Sequence, residues 1–345
     1  MSERETILSV DRLKMHFPFS KGLFRKVRGS VKAVDDVSFD VYSGETLGLV
    51  GESGCGKTTL GRSLMRVYKP TSGKILYRTA EGDQVDLAAL SDHSLLPYRK
   101  DLRMIFQDPV SSLNPRLTVL EIIGEAMKVN GIARGKDLEE RVQVLMRKVG
   151  LRREYIRRYP HAFSGGERQR IGIARALSLN PRLVVADEAV SALDVSVQAQ
   201  TINLLEDLQA EFGLTYVFVA HNLSVVQHIS DRVLVMYVGK TVELADTDTL
   251  FQRPLHPYTE ALLSAVPVPD PTQRNRRKRI LLTGEVADPA SPPPGCSFHP
   301  RCQYAVKRCA EEIPVWRELE KGHQVSCHRA EELELSGIRT EGETK

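Results

Sequence analysis

Short apolar segments recur along the chain, and a polar or glycine-rich stretch follows each of them. They occupy residues 46–50, 102–106, 183–188, 215–220 and 232–237. Apolar runs of this length, bounded by turn residues, are typical of strands buried in the core of a protein. The pattern therefore predicts an open α/β sheet, with functional residues near the ends of its strands.

Two other periodicities indicate additional subdomains. Residues 7–17 and 31–42 alternate apolar and polar positions, which predicts two half-buried strands of an antiparallel β subdomain. Between them, residues 20–29 form a basic loop, either a solvated hairpin tip or a contact for lipid headgroups. From residue 117 to 159 apolar residues recur at three- and four-residue steps, which predicts an inserted helical subdomain.

Length and composition narrow the class of protein. The chain has 345 residues, 41% of them apolar, which predicts a main domain plus an appendage. The net charge of +4 is too small to indicate nucleic acid as a partner. No apolar run is long enough to span a membrane, and the charged N-terminus lacks a signal-peptide core. We therefore expect a cytosolic protein without lasting disulfides.

The segment from Gly51 to Thr58 fits the phosphate-binding loop pattern, with a strand before it and a helix after it. Glycines let backbone N–H groups turn inward to form a nest for phosphate oxygens. Lys57 is expected to reach the β and γ phosphates, and Thr58 to ligate Mg²⁺. A chance glycine turn is the alternative. The residues predicted to contact nucleotide here are Ser53, Gly54, Cys55, Gly56, Lys57, Thr58 and Thr59.

Carboxylates, a glutamine and a histidine follow other predicted strands. Asp187 is expected to hold Mg²⁺ through water, and Glu188 to polarise the attacking water. Gln107 stands where a side chain can bind metal or water, which alone is a weak signal. His221 is a candidate γ-phosphate contact, although a lone histidine is usually structural.

Two further stretches have one structural and one functional interpretation. Ser164, with Glu167 three residues later, predicts a capped helix start. Alternatively, Ser164 and the amides of Gly165 and Gly166 bind anionic oxygens at that helix N-terminus. Phe17 could stack on a nucleotide base or be a core residue.

These motifs occur in the order seen in ABC transporter ATPase subunits, which the chain resembles over roughly residues 5 to 330. The supporting motifs are the phosphate loop, Gln107, the segment from Ser164 to Gln169, Asp187-Glu188, Ser191 to Asp194, and His221. The segment from Pro254 to Thr259 and the cysteine-bearing tail resemble the oligopeptide/dipeptide importer branch. Residues 166–175 resemble the second of its two ATPase subunits.

The resemblance implies a P-loop NTPase (RecA-like) fold and a site shared between two ATPase subunits. Phe17 would stack on adenine, Gln107 would couple Mg²⁺ and water to the membrane partner, and His221 would hold the γ-phosphate. Ser164, Gly165 and Gly166 would close over ATP on the other subunit, and Asp194 would cross that interface. Two positions depart from the branch, Ala189 in place of proline and Asn222 in place of aspartate.

The resemblance also implies partners and a location. They are a homologous ATPase subunit in a heterodimer, two transmembrane permease subunits and an extracytoplasmic solute-binding protein. The chain would lie at the cytoplasmic face of the membrane and energise import of peptides with ATP and Mg²⁺. A nickel complex, glutathione or an oligosaccharide are alternative solutes, and a soluble non-transport ABC ATPase is an alternative function. A regulatory or structural metal-binding subunit that binds ATP without hydrolysing it is a further alternative function.

Four cysteines, Cys296, Cys302, Cys309 and Cys327, fall close together near the C-terminus. In a cytosolic protein such clustering indicates a metal centre. The tight Cys-x-x-Cys pair usual for structural zinc is absent from this sequence, and four thiolates also suit a [4Fe–4S] cluster. The importer branch is associated with such a cluster, so the resemblance favours iron–sulfur over Zn²⁺ or free thiols.

The domain organisation predicted from these patterns has three parts. The discontinuous nucleotide-binding core comprises residues 1–108 and 170–266, and the helical subdomain comprises residues 109–169. Proline-rich stretches around residues 266–271 and 289–295 delimit a basic run at residues 274–279. Residues 267–345 therefore form a small, irregular C-terminal extension that carries the four cysteines.

Overall fold

A computed structural model describes residues 4–20, 27–266 and 279–338. The centre of the predicted basic loop (21–26), the proline break after residue 266 and most of the basic run lie outside the described residues. Within those ranges, no helix combines the length and the apolar character needed to cross a membrane.

The strands predicted from the apolar and alternating segments are present, with small differences at their ends, and further strands and helices join them. The strands are β1 (Thr6–Ser20), β2 (Val27–Tyr42), β3 (Thr46–Val50), β4 (Ser72–Arg78), β5 (Gln84–Asp86), β6 (Leu102–Ile105), β7 (Leu183–Asp187), β8 (Thr215–Val219), β9 (Arg232–Tyr237), β10 (Lys240–Asp246), β11 (Arg317–Glu320) and β12 (His323–Val325). The α-helices are α1 (Lys57–Leu64), α2 (Val119–Val129), α3 (Gly135–Lys148), α4 (Gly165–Leu177), α5 (Val195–Phe212), α6 (Leu223–Ile229), α7 (Thr247–Gln252), α8 (Pro257–Ser264) and α9 (Lys307–Glu311). Short 3₁₀ turns occupy Leu96–Lys100, Arg153–Arg157, Pro160–Ala162 and His299–Arg301.

The chain divides into two compact units, whose ranges differ from those of the predicted domains. Of the described residues, the first unit comprises 4–5, 42–46 and 90–219, and the second comprises 6–20, 27–41, 47–89, 220–266 and 279–338. The domain boundaries predicted from the order of motifs in the sequence stay a prediction.

In the first unit, β8, β7 and β6 lie side by side in a parallel arrangement. Every residue of β7 and β8 is buried, as expected for parallel strands covered on both faces. Helices α2, α3 and α4 pack on one another and bury apolar residues such as Ile123, Met127 and Met146. The inserted helical subdomain predicted from periodicity is therefore present.

In the second unit, one sheet has the order β2-β1-β4-β5, with β1 antiparallel to β4 and β4 antiparallel to β5. The predicted antiparallel subdomain is thus present. The other strands of this unit run in the order β11-β12-β10-β9-β3. Strand β3 is parallel to β9, whereas β10, β12 and β11 pair antiparallel. The cysteine-bearing tail is therefore tied to the sheet through β12.

Candidate functional site

The phosphate loop joins β3 to α1 in the second unit. Lys57 opens α1 and is only 5% exposed. Its Nζ donates to the carbonyl oxygen of Gly51 at 2.7 Å and to that of Glu52 at 3.0 Å. The ammonium group is therefore held back over the loop, beside the N-terminus of a helix, where backbone N–H groups and the helix dipole favour an anion.

Glycine is required at two positions of this loop by close approach of the backbone. Gly56 has a φ of +106°, and a Cβ there would collide with the carbonyl oxygen of Ala33. A Cβ on Gly51 would collide with the carbonyl oxygen of Met236. Any larger residue at either position would therefore push the loop away from the backbone segments that it packs against.

The other predicted loop residues divide between surface and interior. Ser53 and Gly54 are exposed, and Thr58 and Thr59 are partly buried. Cys55 is 2% exposed, and burial raises the pKa of its thiol. The side chain of Cys55 thus acts as a small core residue beneath the loop.

Phe17 and His221 belong to the same unit as the loop. Phe17 lies on β1 and is partly buried, with its ring edge-to-face on Tyr68 at a centroid distance of 5.4 Å. His221 is exposed, and the N–H of the preceding residue, Ala220, donates to the carbonyl oxygen of Leu49 in β3 at 3.2 Å. The residue after it, Asn222, caps α6 by accepting from the N–H of Ser224. This connection places His221 beside the strand that leads into the phosphate loop.

In the first unit, the structure brings Gln107 and Glu188 together. The Nε2 of Gln107 donates to the Oε2 of Glu188 at 2.8 Å. Glu188 follows β7 directly and has a φ of +47°, a rare backbone conformation for a non-glycine residue. Its N–H donates to the carbonyl oxygen of Val219 at 2.9 Å, which holds this conformation. Asp187, at the end of β7, is fully buried.

Ser164 is the N-cap of α4, as predicted, and forms a reciprocal capping box with Glu167. The Oγ of Ser164 accepts from the N–H of Glu167 and donates to its Oε2. Gly165 is exposed with open space around its Cα, whereas a Cβ on Gly166 would crowd Val197. The first turn of α4 therefore presents backbone N–H groups on an open surface. Asp194, the N-cap of α5, is exposed and makes no side-chain capping bond.

The four tail cysteines line one small cavity of about 20 Å³, together with Phe298 and His299. The N–H of Cys296 donates to the carbonyl oxygen of Cys309 at 2.8 Å, which holds two of the cysteine segments together. Burial raises the pKa of Cys296, Cys302 and Cys327 to about 11. Among the described residues, no group of three or more histidine, cysteine or acidic side chains is arranged to hold a single metal ion.

Sequence motifs did not reveal two contacts to the phosphate loop. Arg301 forms a bidentate ion pair with Glu52, and Tyr258 accepts from the N–H of Glu52. These partners are separated from Glu52 by 249 and 206 positions. Local patterns cannot show such a pairing; the one available signal was an acidic residue inside a loop expected to bind anions.

Comparison with known proteins supports the expectations for fold and family. Residues 34–191 match the family described as ABC transporter, and residues 242–309 match the oligopeptide/dipeptide transporter, C-terminal region. The chain is 53% identical over 328 residues to the oligopeptide transport ATP-binding protein AppF of Bacillus subtilis (strain 168), covering 95% of this chain and 98% of the relative. It is 48% identical over 331 residues to the di/tripeptide transport ATP-binding protein DppF of Pseudomonas aeruginosa (strain UCBPP-PA14), covering 95% and 99%.

Solved structures confirm the predicted α/β P-loop fold. A dimeric ATP-binding cassette in a post-hydrolysis state, bound to ADP and Pi, superposes with a TM-score of 0.60 at 26% identity. The match covers 70% of this chain and 98% of that one. With the full-length relatives and both family matches, these findings show that the chain belongs to the ATP-binding proteins of the ABC oligopeptide and dipeptide transporters.

Proposed function

We propose that this chain hydrolyses ATP to energise import of peptides through an ABC transporter. The observation that carries the proposal is the 53% identity to an oligopeptide transport ATP-binding protein over 95% of the chain. The sequence contains every motif needed for phosphoryl transfer, and Gln107 donates a hydrogen bond to Glu188. Catalysis of phosphoryl transfer rests mainly on positioning and charge stabilisation, which these residues can supply.

The binding residues follow from the two units taken separately. Lys57 and the amides of the phosphate loop would hold the β and γ phosphates, and Phe17 would lie against adenine. The hydroxyl of Thr58 and the carboxylate of Asp187 are oxygen donors, the ligands that Mg²⁺ prefers, and Asp187 would act through water. Mg²⁺ would neutralise developing charge on the phosphates.

Glu188 is the proposed catalytic base for hydrolysis. Its carboxylate would orient a water molecule and accept its proton as the water oxygen bonds to the γ-phosphorus. The bond from that phosphorus to the bridging oxygen breaks, so that ADP and phosphate leave. Gln107 would position Glu188 and the same water, and His221 would donate to the γ-phosphate.

We further propose that the nucleotide site is completed by a second, homologous ATPase subunit. Ser164 and Gly165 are exposed and Gly166 is partly exposed at a helix N-terminus suited to ATP bound on the partner, and Asp194 is also exposed. The remaining partners would be two transmembrane permease subunits and an extracytoplasmic solute-binding protein. In this arrangement the chain would lie at the cytoplasmic face of the membrane.

The E188Q substitution tests this function. In the full complex reconstituted in liposomes, E188Q should bind ATP with wild-type affinity while turnover falls by about 100-fold or more. Glutamine keeps the shape of glutamate but cannot accept the proton. Turnover within about twofold of wild type would remove Glu188 from its role. Absence of peptide-dependent ATPase stimulation in the wild-type complex would contradict peptide import.

The same assay separates a heterodimer from a homodimer. The isolated chain should hydrolyse ATP slowly, and addition of the second ATPase subunit should restore turnover, since each half-site needs its partner. Full activity of the isolated chain would contradict the heterodimer.

The four tail cysteines suggest a metal centre, for which a [4Fe–4S] cluster is the proposed occupant and Zn²⁺ the alternative. Cys296, Cys302, Cys309 and Cys327 line one cavity, and four thiolates are the donor set of such a cluster. Cys296, Cys302, Cys309 and Cys327 would hold it and so pin the C-terminal extension. Anaerobically purified protein should contain about four iron and four sulfide per chain.

Cysteine variants test the assignment. C302S should lose the iron, whereas C55S, in a buried position beneath the phosphate loop, should keep it. Stoichiometric zinc without iron in the wild-type protein would contradict the cluster.

A further inference from the structure

Two residues from the C-terminal part of the chain, Arg301 and Tyr258, contact the phosphate loop. Arg301 donates from Nη1 to Oε2 of Glu52 at 2.7 Å and from Nη2 to Oε1 at 3.1 Å. The Arg301 side chain is only 7% exposed. A guanidinium is protonated at every pH at which the protein is folded, so the pair is ionic. A bidentate guanidinium–carboxylate pair of this kind fixes orientation as well as distance.

A second contact holds the backbone at the same residue. The N–H of Glu52 donates to the hydroxyl oxygen of Tyr258 at 2.7 Å. Burial raises the pKa of Tyr258, so this oxygen stays a neutral phenol. The Tyr258 ring packs against Tyr237 and Phe298, at centroid distances of 4.7 and 5.4 Å. Both the side chain and the backbone of Glu52 are thus fixed by residues far along the chain.

Arg301 is itself held by the turn that carries the cysteines. It ends the 3₁₀ turn His299–Arg301 and immediately precedes Cys302. The N–H of Arg301 donates to the carbonyl oxygen of Phe298 at 3.0 Å, and that of Cys302 to His299 at 3.3 Å. The packing of this turn therefore sets the position of the guanidinium group against the phosphate loop.

The charge of Glu52 shows why this contact bears on nucleotide binding. A carboxylate beside a loop suited to polyphosphate repels it unless a cation compensates. Lys57 does not compensate the carboxylate of Glu52. Its Nζ donates to the carbonyl oxygens of Gly51 and Glu52 and is expected to bind the phosphates of the nucleotide. Arg301 is the cation paired with the carboxylate of Glu52.

We propose that Arg301 and Tyr258 are positioning residues for the phosphate loop, which makes nucleotide affinity depend on the C-terminal extension. Arg301 neutralises and orients Glu52, and Tyr258 fixes its N–H. The inference rests on the proposed function in one respect, that this loop binds nucleotide.

The test is equilibrium binding of Mg-ATP to the full-length chain in the E188Q background, at a temperature where every variant is folded by circular dichroism. R301M should weaken binding about tenfold, because the partly buried carboxylate of Glu52 loses its cationic partner next to the phosphates. R301K, which keeps the charge but not the bidentate geometry, should fall between R301M and the parent. Y258F should weaken binding by a smaller factor.

A rescue experiment separates a positioning role from a merely structural one. E52Q should bind Mg-ATP within about threefold of the parent, and the R301M/E52Q double variant should recover to the affinity of E52Q. Recovery follows if the unpaired carboxylate causes the defect. An R301M/E52Q variant as weak as R301M would overturn the charge compensation.

Two controls keep the outcomes distinct. R308M breaks the exposed Arg308–Glu312 pair of the same extension and should bind like the parent. K57A should abolish binding if the loop is the nucleotide site. If the K57A variant still binds Mg-ATP, the proposed function is contradicted. If binding depends on Lys57 but R301M binds as tightly as R308M, only this inference is contradicted. If R301M does not fold, R301K tests the pair instead, and R301K binding equal to R308M would overturn the inference.

Discussion

Two positions that depart from the importer branch have different local roles. The side chain of Asn222 accepts from the N–H of Ser224 at 3.0 Å and so caps α6. Aspartate makes the same capping bond, so the substitution keeps the local structure that precedes the helix. Ala189 is 2% exposed and follows Glu188, whose φ of +47° is held by a hydrogen bond to Val219. The backbone at Glu188 thus adopts its conformation without a proline after it.

The phosphate loop allows a prediction at the scale of single residues. G56A should lower stability by more than about 2 kcal/mol and abolish nucleotide binding, because Cβ would collide with Ala33 and φ is positive. G44A is the matched control, since Gly44 also has a positive φ, of +77°, but open space around it. It should cost about 1 kcal/mol and leave binding unchanged. Urea unfolding and Mg-ATP titration measure both quantities, and equal losses for the two variants would contradict the steric argument.

At the scale of elements, two helices of the first unit begin with the same capping arrangement. Ser164 with Glu167 caps α4, and Thr118 with Glu121 caps α2. The first capping box was predicted from the sequence, and the second was not. Both stabilise a helix N-terminus, but only the first lies in the segment proposed to close over the partner's ATP.

The paired capping boxes separate stability from function. S164A and T118A should each lower the free energy of unfolding by about 1 kcal/mol, since each removes one capping oxygen. In the E188Q background, only S164A should weaken ATP-dependent association of the ATPase subunits, which sedimentation measures. An equal loss of association in both variants would indicate a general effect of helix stability instead.

At the scale of the whole molecule, a buried histidine makes stability depend on pH. His256 is 1% exposed, and burial lowers its pKa to about 3. Its Nδ1 accepts from the N–H of Tyr258 at 3.0 Å, which requires the neutral ring. Below about pH 6.5 the unfolded chain gains a proton that the folded chain does not, so stability falls as pH falls towards 3.

The contribution of His256 to the free energy of unfolding changes by about 1.4 kcal/mol per pH unit between about pH 6.5 and about pH 3. H256N should remove it, because asparagine can cap α8 without titrating in this range. Free energies of urea unfolding at about pH 7.5 and pH 5.5 should therefore fall by about 1.4 kcal/mol more in the wild type than in H256N. Equal losses in the two proteins would mean that His256 takes up its proton in the folded state.

The motifs and most of the elements follow from the sequence because local interactions specify them. The apolar run of β7 specifies a buried strand, and Ser164 with Glu167 specifies a helix start. Spacing within the segment from Gly51 to Thr58 likewise indicates a phosphate loop, since its glycines and lysine act within a few residues of one another. These features needed no knowledge of which segments meet in space.

Only the tertiary structure decided which distant residues meet. The sequence places Glu52 in the loop and Arg301 in the tail, but their pairing depends on the folding of the residues between them. The same holds for the hydrogen bond of Gln107 to Glu188 and for the four cysteines around one cavity. The physical reason is that periodicity and propensity act over a few residues, whereas charge pairing and burial act across whatever surfaces the fold brings into contact.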